Sequence, residues 1–409
     1  MKHATAPLDL EDSGRRIRKA AEIIRPHVRR TPTVYSHTSS ETARRDVFLK
    51  LENLQRTGSF KLRGALHKLL TLEPARRDKG LIAASAGNHA QGVALAARLT
   101  GAKATVVMPV GTALIKVQRT KGYGAEVVLH GESWDDAQQR ALAIARERDL
   151  TMIHPFDDRT LIEGQGTIGL EILEEVPELD TVVVPVGGGG LIAGIALAVK
   201  ALAPAVRVIG VQASGASAMT QSFHCGERVS VAEPRTIADG IRVGSVGEVT
   251  FGVVRELVDD MVNVEEEEIG AAVIQTMERS KVVAEAAGVV PVAALAAGRI
   301  AGGRRICAIL SGGNIDLNLL ARLIESGLAN AGRYHLVQIR LRDVPGQLRE
   351  VLAVLAERES NVVDVVHHRA GWKVPVGYVD LEILIETRDA KEGAELDEAL
   401  RGRGFDVRA

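Results

Sequence analysis

Apolar and polar positions follow a helical period over some stretches of the chain and form short unbroken runs over others. Residues 14–29 place Ile17, Ala20, Ala21, Ile24 and Val28 on one face, a 3.6-residue period that predicts a helix ended by Pro32. Short apolar runs then alternate with stretches of helical period. The runs at 47–51, 80–84, 104–108, 125–129, 181–186, 206–211 and 305–310 read as strands. The helical stretches begin at Lys61, where Phe60, Leu62, Ala65, Leu66, Leu69 and Leu70 share an apolar pattern. They continue at 89–100, 113–123, 133–149, 191–203, 267–281, 291–301 and on through about 326. Unbroken apolar strands that alternate with helices predict a parallel sheet covered on both faces, an α/β fold.

The composition shifts at residues 329–333, which read as a linker. Beyond it the order is β-α-β-β-α-β, with strands at 334–341, 361–369, 377–386 and 404–408 and helices at 345–358 and 391–402. Pro345 is expected to open the first of these helices. That is a ferredoxin-like α+β plan. The predicted organisation is a domain over 1–328, with a smaller part at about 48–154 inserted in a larger one, and a tail domain over 334–409.

The 409 residues are 46% hydrophobic and 25% charged, with a formal net charge of -1, as in ordinary globular proteins. Neutral charge and 3% aromatics argue against nucleic-acid partners, and no apolar run reaches membrane-spanning length. Two distant cysteines, Cys225 and Cys307, suit a reducing compartment and read as small buried hydrophobes. With a polar start to the chain, these features lead to the expectation of a cytoplasmic protein.

Three strand-to-helix junctions carry candidate chemistry. Lys61 lies just inside an apolar helix; a desolvated lysine loses its preference for the charged form and becomes a nucleophile toward aldehydes. Gly187, Gly188, Gly189 and Gly190 stand between a strand and a helix start, where free N–H groups and close backbone approach suit a phosphate. Ser85, Ala86, Gly87, Asn88 and His89 occupy a similar junction, which can hold a carboxylate; taken alone, the stretch reads better as a helix cap supplied by Ser85 or Asn88. Ser311 ends the strand at 305–310, and alone it too reads as part of a turn and cap. His130, His154, His224 and His335 lack partners at ligand spacing. Glu265 and its acidic neighbours through Glu268 read as a solvated helix start.

Together and in this order, Ser-Phe-Lys-Leu-Arg-Gly, Ser-Ala-Gly-Asn-His-Ala-Gln-Gly, Gly-Gly-Gly-Gly-Leu and Ser-Gly-Gly-Asn resemble the motifs of the pyridoxal-phosphate-dependent threonine/serine dehydratase family, over roughly residues 14–326. The resemblance implies the tryptophan-synthase-β-like fold (fold type II) with two α/β subdomains. It implies that Lys61 carries pyridoxal 5'-phosphate as a Schiff base and removes the substrate's Cα proton. Phe60 would lie against the cofactor ring, Asn88 would bond its 3-oxygen, and Ser311 would face its ring nitrogen. Gly187 to Gly190 and Leu191 would wrap the phosphate, and Glu285 would lie near the cofactor. Ser85, Ala86, Gly87, Asn88 and His89 would hold the substrate carboxylate.

The related serine racemases carry a second serine where this chain has Ala86, which implies poor racemisation here. They also bind a divalent cation at positions that correspond to Gln212 and Ala218, so no metal is expected. The tail resembles an ACT domain, with Asp343, Val344, Pro345 and Gly346 at the turn where an amino-acid effector sits. The resemblance implies a homo-oligomer, dimer or tetramer, under allosteric control. The implied activity is elimination of water from L-threonine to give 2-oxobutanoate and ammonia, with L-serine to pyruvate as a side activity. The alternatives are a lyase for another β-hydroxy amino acid such as 3-hydroxyaspartate, a non-catalytic amino-acid sensor and a β-replacement enzyme.

Overall fold

The computed structural model describes residues 8–369 and 374–408. The chain divides into two compact units, Met1–Asp316 and Leu317–Ala409. Among the described residues the first unit holds two sheets. The larger runs in the order β1 (Thr33–Tyr35), β2 (Asp46–Leu51), β10 (Arg305–Leu310), β7 (Thr181–Pro185), β8 (Arg207–Ala213), β9 (Asp260–Val264). Only β1 is antiparallel, at the edge. The smaller sheet, all parallel, is β5 (Glu126–Leu129), β4 (Ala104–Met108), β3 (Leu81–Ala84), β6 (Thr151–Met152). β3, β4 and β7 are buried at every residue, as unbroken apolar runs require when helices cover both faces.

The boundaries correct the sequence reading in several places. β2 was expected inside the smaller part; it pairs with β10 in the larger sheet, Leu51 opposite Leu310. The first helix is Leu10–Ile24, because the Asp9 side chain caps it early and Pro26 follows its end. The helix expected at 291–301 is Ala286–Ala296, with Pro291 inside it. Gly298, at φ 67°, turns the chain there and prevents continuation. Cys307 is buried as expected, but Cys225 is exposed at a helix end.

A helix that the apolar pattern did not disclose, Arg159–Glu175, holds the Lys61 helix (Lys61–Thr71) in place. The two cross at Gly64 and Gly164, where a Cβ on Gly164 would lie 2.7 Å from the Gly64 Cα. Gln165 Oε1 accepts the Gly64 N–H at 3.2 Å. Beside this crossing, buried Arg63 and Lys50 meet three carboxylates, of which Glu52 is buried and Glu171 and Glu175 are partly exposed. Arg63 meets Glu52 at 2.8 Å and Glu171 at 2.7 Å, while Lys50 meets Glu171 at 2.7 Å and Glu175 at 2.9 Å. The neighbouring carboxylates hold the Arg63 guanidinium charged against the cost of burial.

The second unit begins with the helix Leu317–Asn330, so the expected linker at 329–333 overlaps its last residues. Four strands and two helices follow in β-α-β-β-α-β order, with the sheet order β12 (Val362–His368), β13 (Tyr378–Glu386), β11 (Tyr334–Arg342), β14 (Asp406–Arg408). All pairings are antiparallel. The first helix is Gln347–Glu357, and Gly346 at φ 99° stands at its N-cap. Pro345 therefore lies in the turn rather than at the first helical position. β12 is an edge strand, and Asp364, His367 and His368 on it are all exposed.

Candidate active site

The site gathers at the carboxyl ends of parallel strands, where open α/β sheets leave a crevice. Lys61 follows β2, the glycine run follows β7, Ser311 follows β10, and the Ser85 turn follows β3. The loop before Lys61 folds back onto the end of β10. Phe60 N–H donates to the Ser311 carbonyl at 3.1 Å, and Gly313 N–H donates to the Gly58 carbonyl at 2.8 Å. Lys61 and Ser311 are thus tethered through backbone.

Lys61 keeps some surface open to the crevice, yet it lies deep enough that burial pushes its amine down to about 8 despite the nearby Glu285 carboxylate. Its Nζ donates to the Pro155 carbonyl at 2.7 Å and sits 5.2 Å from the Phe60 ring centre. A value near 8 leaves about a tenth of the amine neutral at pH 7, far more than an ordinary lysine, and makes it a usable nucleophile and base.

The two helix starts are bare. The helix Gly190–Leu202 has Gly189 at its N-cap, at φ 94°, and the helix Asn88–Thr100 has Gly87; neither carries a side-chain cap. The cap alternative for Ser85 and Asn88 therefore fails. Ser85 Oγ accepts the Gly87 N–H at 3.2 Å, and beside Gly87 an added Cβ would meet nothing within 4 Å. Uncapped N–H groups at a helix start are an anion site. The Leu191 side chain packs into the core, so only its backbone faces that site.

Asn88 donates from Nδ2 to Glu285 Oε1 at 2.5 Å and accepts at Oδ1 from Asn314 Nδ2 at 2.7 Å. Glu285 is buried; burial, then the Asp239 charge, push its carboxyl up to about 7. The His89 side chain is engaged elsewhere: its Nε2 donates to the Ile153 carbonyl at 3.0 Å, and burial pushes the ring down to about 3. A neutral ring whose one N–H is committed cannot donate to a carboxylate; only the His89 backbone can.

Residues 153–157 were missed in the sequence, and they touch nearly every part of the site. The Ile153 carbonyl holds His89, and the Pro155 carbonyl holds Lys61. A Cβ on Gly188 would lie 2.4 Å from Phe156 Cδ1, too close to the ring to fit. Asp157 accepts the N–H groups of Glu248 and Thr250 at 3.0 and 3.1 Å, capping the helix Glu248–Leu257. His154 Nδ1 accepts from Asp157 N–H at 2.7 Å and closes the turn. Asp239, Gly240 and Ile241 were missed as well: Gly240 faces Glu285 and Ala287, and Ile241 packs on Gly187. Gln212, at one of the two positions compared with a cation site, spends its amide on the Val186 carbonyl and on Thr220. The turn of Asp343, Val344, Pro345 and Gly346 lies in the second unit and is exposed.

A buried amine of lowered pKa, flanked by two uncapped helix starts at strand ends, defines an α/β enzyme built for carbonyl–amine chemistry on an anionic substrate. The model of the pyridoxal-phosphate dependent enzymes matches residues 24–312, and the chain belongs to that family. An L-threonine ammonia-lyase of Thermotoga maritima is 44% identical over 401 residues, 98% of this chain and 99% of that one. The processed form of threonine deaminase isoform 2 from Solanum lycopersicum superposes with a TM-score of 0.74 at 38% identity, covering 78% of this chain and 89% of that one. Maize serine racemase superposes with a TM-score of 0.73 at 36% identity, covering 78% and 98%. The site suits the family's cofactor on its own chemistry: the Lys61 amine answers an aldehyde, and the glycine cradle answers a phosphate.

Proposed function

We propose that this chain is an L-threonine ammonia-lyase that converts L-threonine to 2-oxobutanoate and ammonia, with L-serine to pyruvate as a side activity. The observation that carries this reading is the buried Lys61 amine at about 8, set between two bare helix starts. The relatives named L-threonine ammonia-lyase and threonine deaminase support it.

In this reading the N–H groups of Gly187, Gly188, Gly189, Gly190 and Leu191 hold the cofactor phosphate. Phe60 lies against the ring, Asn88 bonds the 3-oxygen, Ser311 faces the ring nitrogen, and Glu285 flanks them. When bound, pyridoxal phosphate supplies an aldehyde for the substrate amine and a conjugated ring that withdraws electrons from Cα. Ser85 and the backbone N–H groups through His89 hold the substrate carboxylate, with Ala86 and Gly87 shaping the loop. The Lys61 amine removes the Cα proton. Burial keeps that amine partly neutral at working pH, and the Pro155 carbonyl gives its proton-loaded form an acceptor. The β-hydroxyl departs as water, and water later releases ammonia and 2-oxobutanoate. Ala86 offers no hydroxyl to return a proton to the opposite face of Cα, which favours elimination over racemisation.

The tail is read as an ACT domain that binds an amino-acid effector at Asp343, Val344, Pro345 and Gly346 in a homo-oligomer, dimer or tetramer. Its β-α-β-β-α-β order supports this. The protein is further read as cytoplasmic; among the described residues no helix is long and apolar enough to cross a membrane.

The test is release of 2-oxo acid from L-threonine, L-serine and L-threo-3-hydroxyaspartate by wild type and Lys61→Ala. Release that prefers threonine and vanishes in the variant is expected. No release from any of the three by cofactor-loaded protein would overturn the proposal.

A further inference from the structure

Phe156 spans the gap between Lys61 and the glycine run. The Pro155 carbonyl accepts from Lys61 Nζ at 2.7 Å, and the next residue lays its side chain on the cradle, where a Cβ on Gly188 would run into the ring and one on Gly190 would lie 3.0 Å from Phe156 Cβ. The ring is anchored. It meets the His154 ring edge-on at 4.8 Å between centres, and His154 Nδ1 accepts the N–H groups of Phe156 and Asp157 at 3.3 and 2.7 Å. Behind it, Thr250 donates from Oγ1 to the Gly188 carbonyl at 2.7 Å and from its N–H to Asp157 at 3.1 Å. Phe156 is nonetheless only half-buried. An anchored ring with uncovered apolar surface, set among polar groups, is the kind of wall that orients the apolar part of a small ligand.

The direction of the substrate side chain follows from the chemistry of the cofactor. On its ring the aldehyde stands between the 3-oxygen and the phosphate arm. In the proposed reading one turn holds both the 3-oxygen, through Asn88, and the substrate carboxylate, so the carboxylate lies on the 3-oxygen side. The Cα–H bond points at Lys61. The direction left for the β-carbon is the phosphate side, where Phe156 covers the cradle.

We propose that Phe156 is a specificity-determining residue: its uncovered ring is the wall against which the β-methyl of L-threonine packs, and this contact sets the preference for threonine over serine. The inference rests on the proposed function and on its placement of the cofactor. The same wall disfavours a second carboxylate there. Burial pushes the His154 ring down, so it stays neutral, and Asp157 is itself an acid; neither offers 3-hydroxyaspartate a cation.

The experiment uses the full chain saturated with pyridoxal phosphate and compares wild type, Phe156→Ala and Phe156→Leu. The first readout is equilibrium binding of L-alanine and L-2-aminobutyrate, followed by the change in cofactor absorbance. These two lack the β-hydroxyl and differ by the methyl alone. The second is the ratio of kcat/KM for L-threonine to that for L-serine. One methyl in an apolar pocket is worth about tenfold or more, so wild type should bind 2-aminobutyrate about tenfold tighter than alanine. Phe156→Ala should lose that difference and lower the threonine-to-serine ratio by about tenfold. Phe156→Leu keeps an apolar contact and should hold both readouts near wild type. An unchanged ratio in Phe156→Ala, or an equal loss on both substrates, overturns the inference, because the ring then serves the cradle alone. Equal binding of the two analogues by wild type overturns it without any variant having to fold. Selective binding of 2-aminobutyrate with no 2-oxo acid released from threonine or serine supports the wall and overturns the proposed reaction instead.

Discussion

Asn88 Nδ2 lies 2.5 Å from Glu285 Oε1, joining residues 197 positions apart. The bond runs from the helix that follows β3 of the smaller sheet to the N-cap residue of the helix Ala286–Ala296. Asn88 also accepts from Asn314, so its amide is fully oriented: oxygen toward Asn314, nitrogen toward Glu285. Asn88→Asp replaces that donor with a second carboxylate against Glu285. An unsatisfied buried partner costs about 1–3 kcal/mol, or about five- to 150-fold in an equilibrium. Cofactor affinity should fall by about fivefold or more, measured by absorbance titration of the stripped protein. Unchanged affinity would remove Asn88 from the cofactor site.

Arg63 is two residues past Lys61 and pairs with Glu52 and Glu171, donating also to Thr167 Oγ1 and the Arg29 carbonyl. Arg63→Met leaves the Glu52 carboxylate, which is 0% exposed, without its cation. Breaking one side of a buried pair costs about 3–5 kcal/mol, and Arg63→Met with Glu52→Gln should recover a good part of it. Urea unfolding of the single and double variants tests this. Equal destabilisation in both would mean that packing, and not the stranded charge, sets the loss.

The lysine, the glycine run and the two turns were legible because each is a local feature: a strand end, small residues and a helix start within a few positions. What stayed hidden depends on distant contacts. The helix Arg159–Glu175 contains Gly164, Gly166 and Gly169, which lower intrinsic helix propensity. Those same glycines fit against Gly64, the Gly194 carbonyl and Ala198, so tertiary packing overrides the local preference. Its one local signal was Asp158, whose side chain caps the helix at Leu161 N–H. Ile153 and Pro155 act through backbone carbonyls, which leave no mark in a sequence, while Phe156 and Asp157 meet partners distant in the chain. The tail was legible almost whole, since its central strands β11 and β13 alternate buried with less buried positions.

Gly188 is the tightest point of the glycine cradle. An added Cβ would overlap the Phe156 ring, and at Gly190 it would lie 3.0 Å from Phe156 Cβ. Gly188→Ala should therefore push Phe156 off the cradle, at about 1–3 kcal/mol. The melting midpoint should drop, and cofactor affinity with it. Gly188→Ala with Phe156→Ala should restore the midpoint by removing the overlap. If the double variant melts as low as the single one, the overlap is not the cause.

Glu285 gives the chain a specific pH dependence. Its carboxyl holds its proton up to about 7 in the folded protein and releases it near the ordinary 4.5 when unfolded. Between those values the unfolded chain binds fewer protons, so this residue's contribution to stability falls as pH rises through the window. Lys61 works in another range: its amine, lowered from 10.5 to about 8, makes stability rise with pH above about 8 and adds no slope below that. Glu285→Gln keeps an oxygen for the Asn88 amide and cannot ionise. The melting midpoint of the variant should therefore gain on wild type as pH is raised from about 5 to about 8, with little difference at the acid end. Asp239→Asn, which removes the second cause of the raised value, should shrink that gain. Thermal melts of the cofactor-free full chain across this range decide the matter: a variant-to-wild-type difference that is flat with pH would mean that Glu285 is already ionised in the fold.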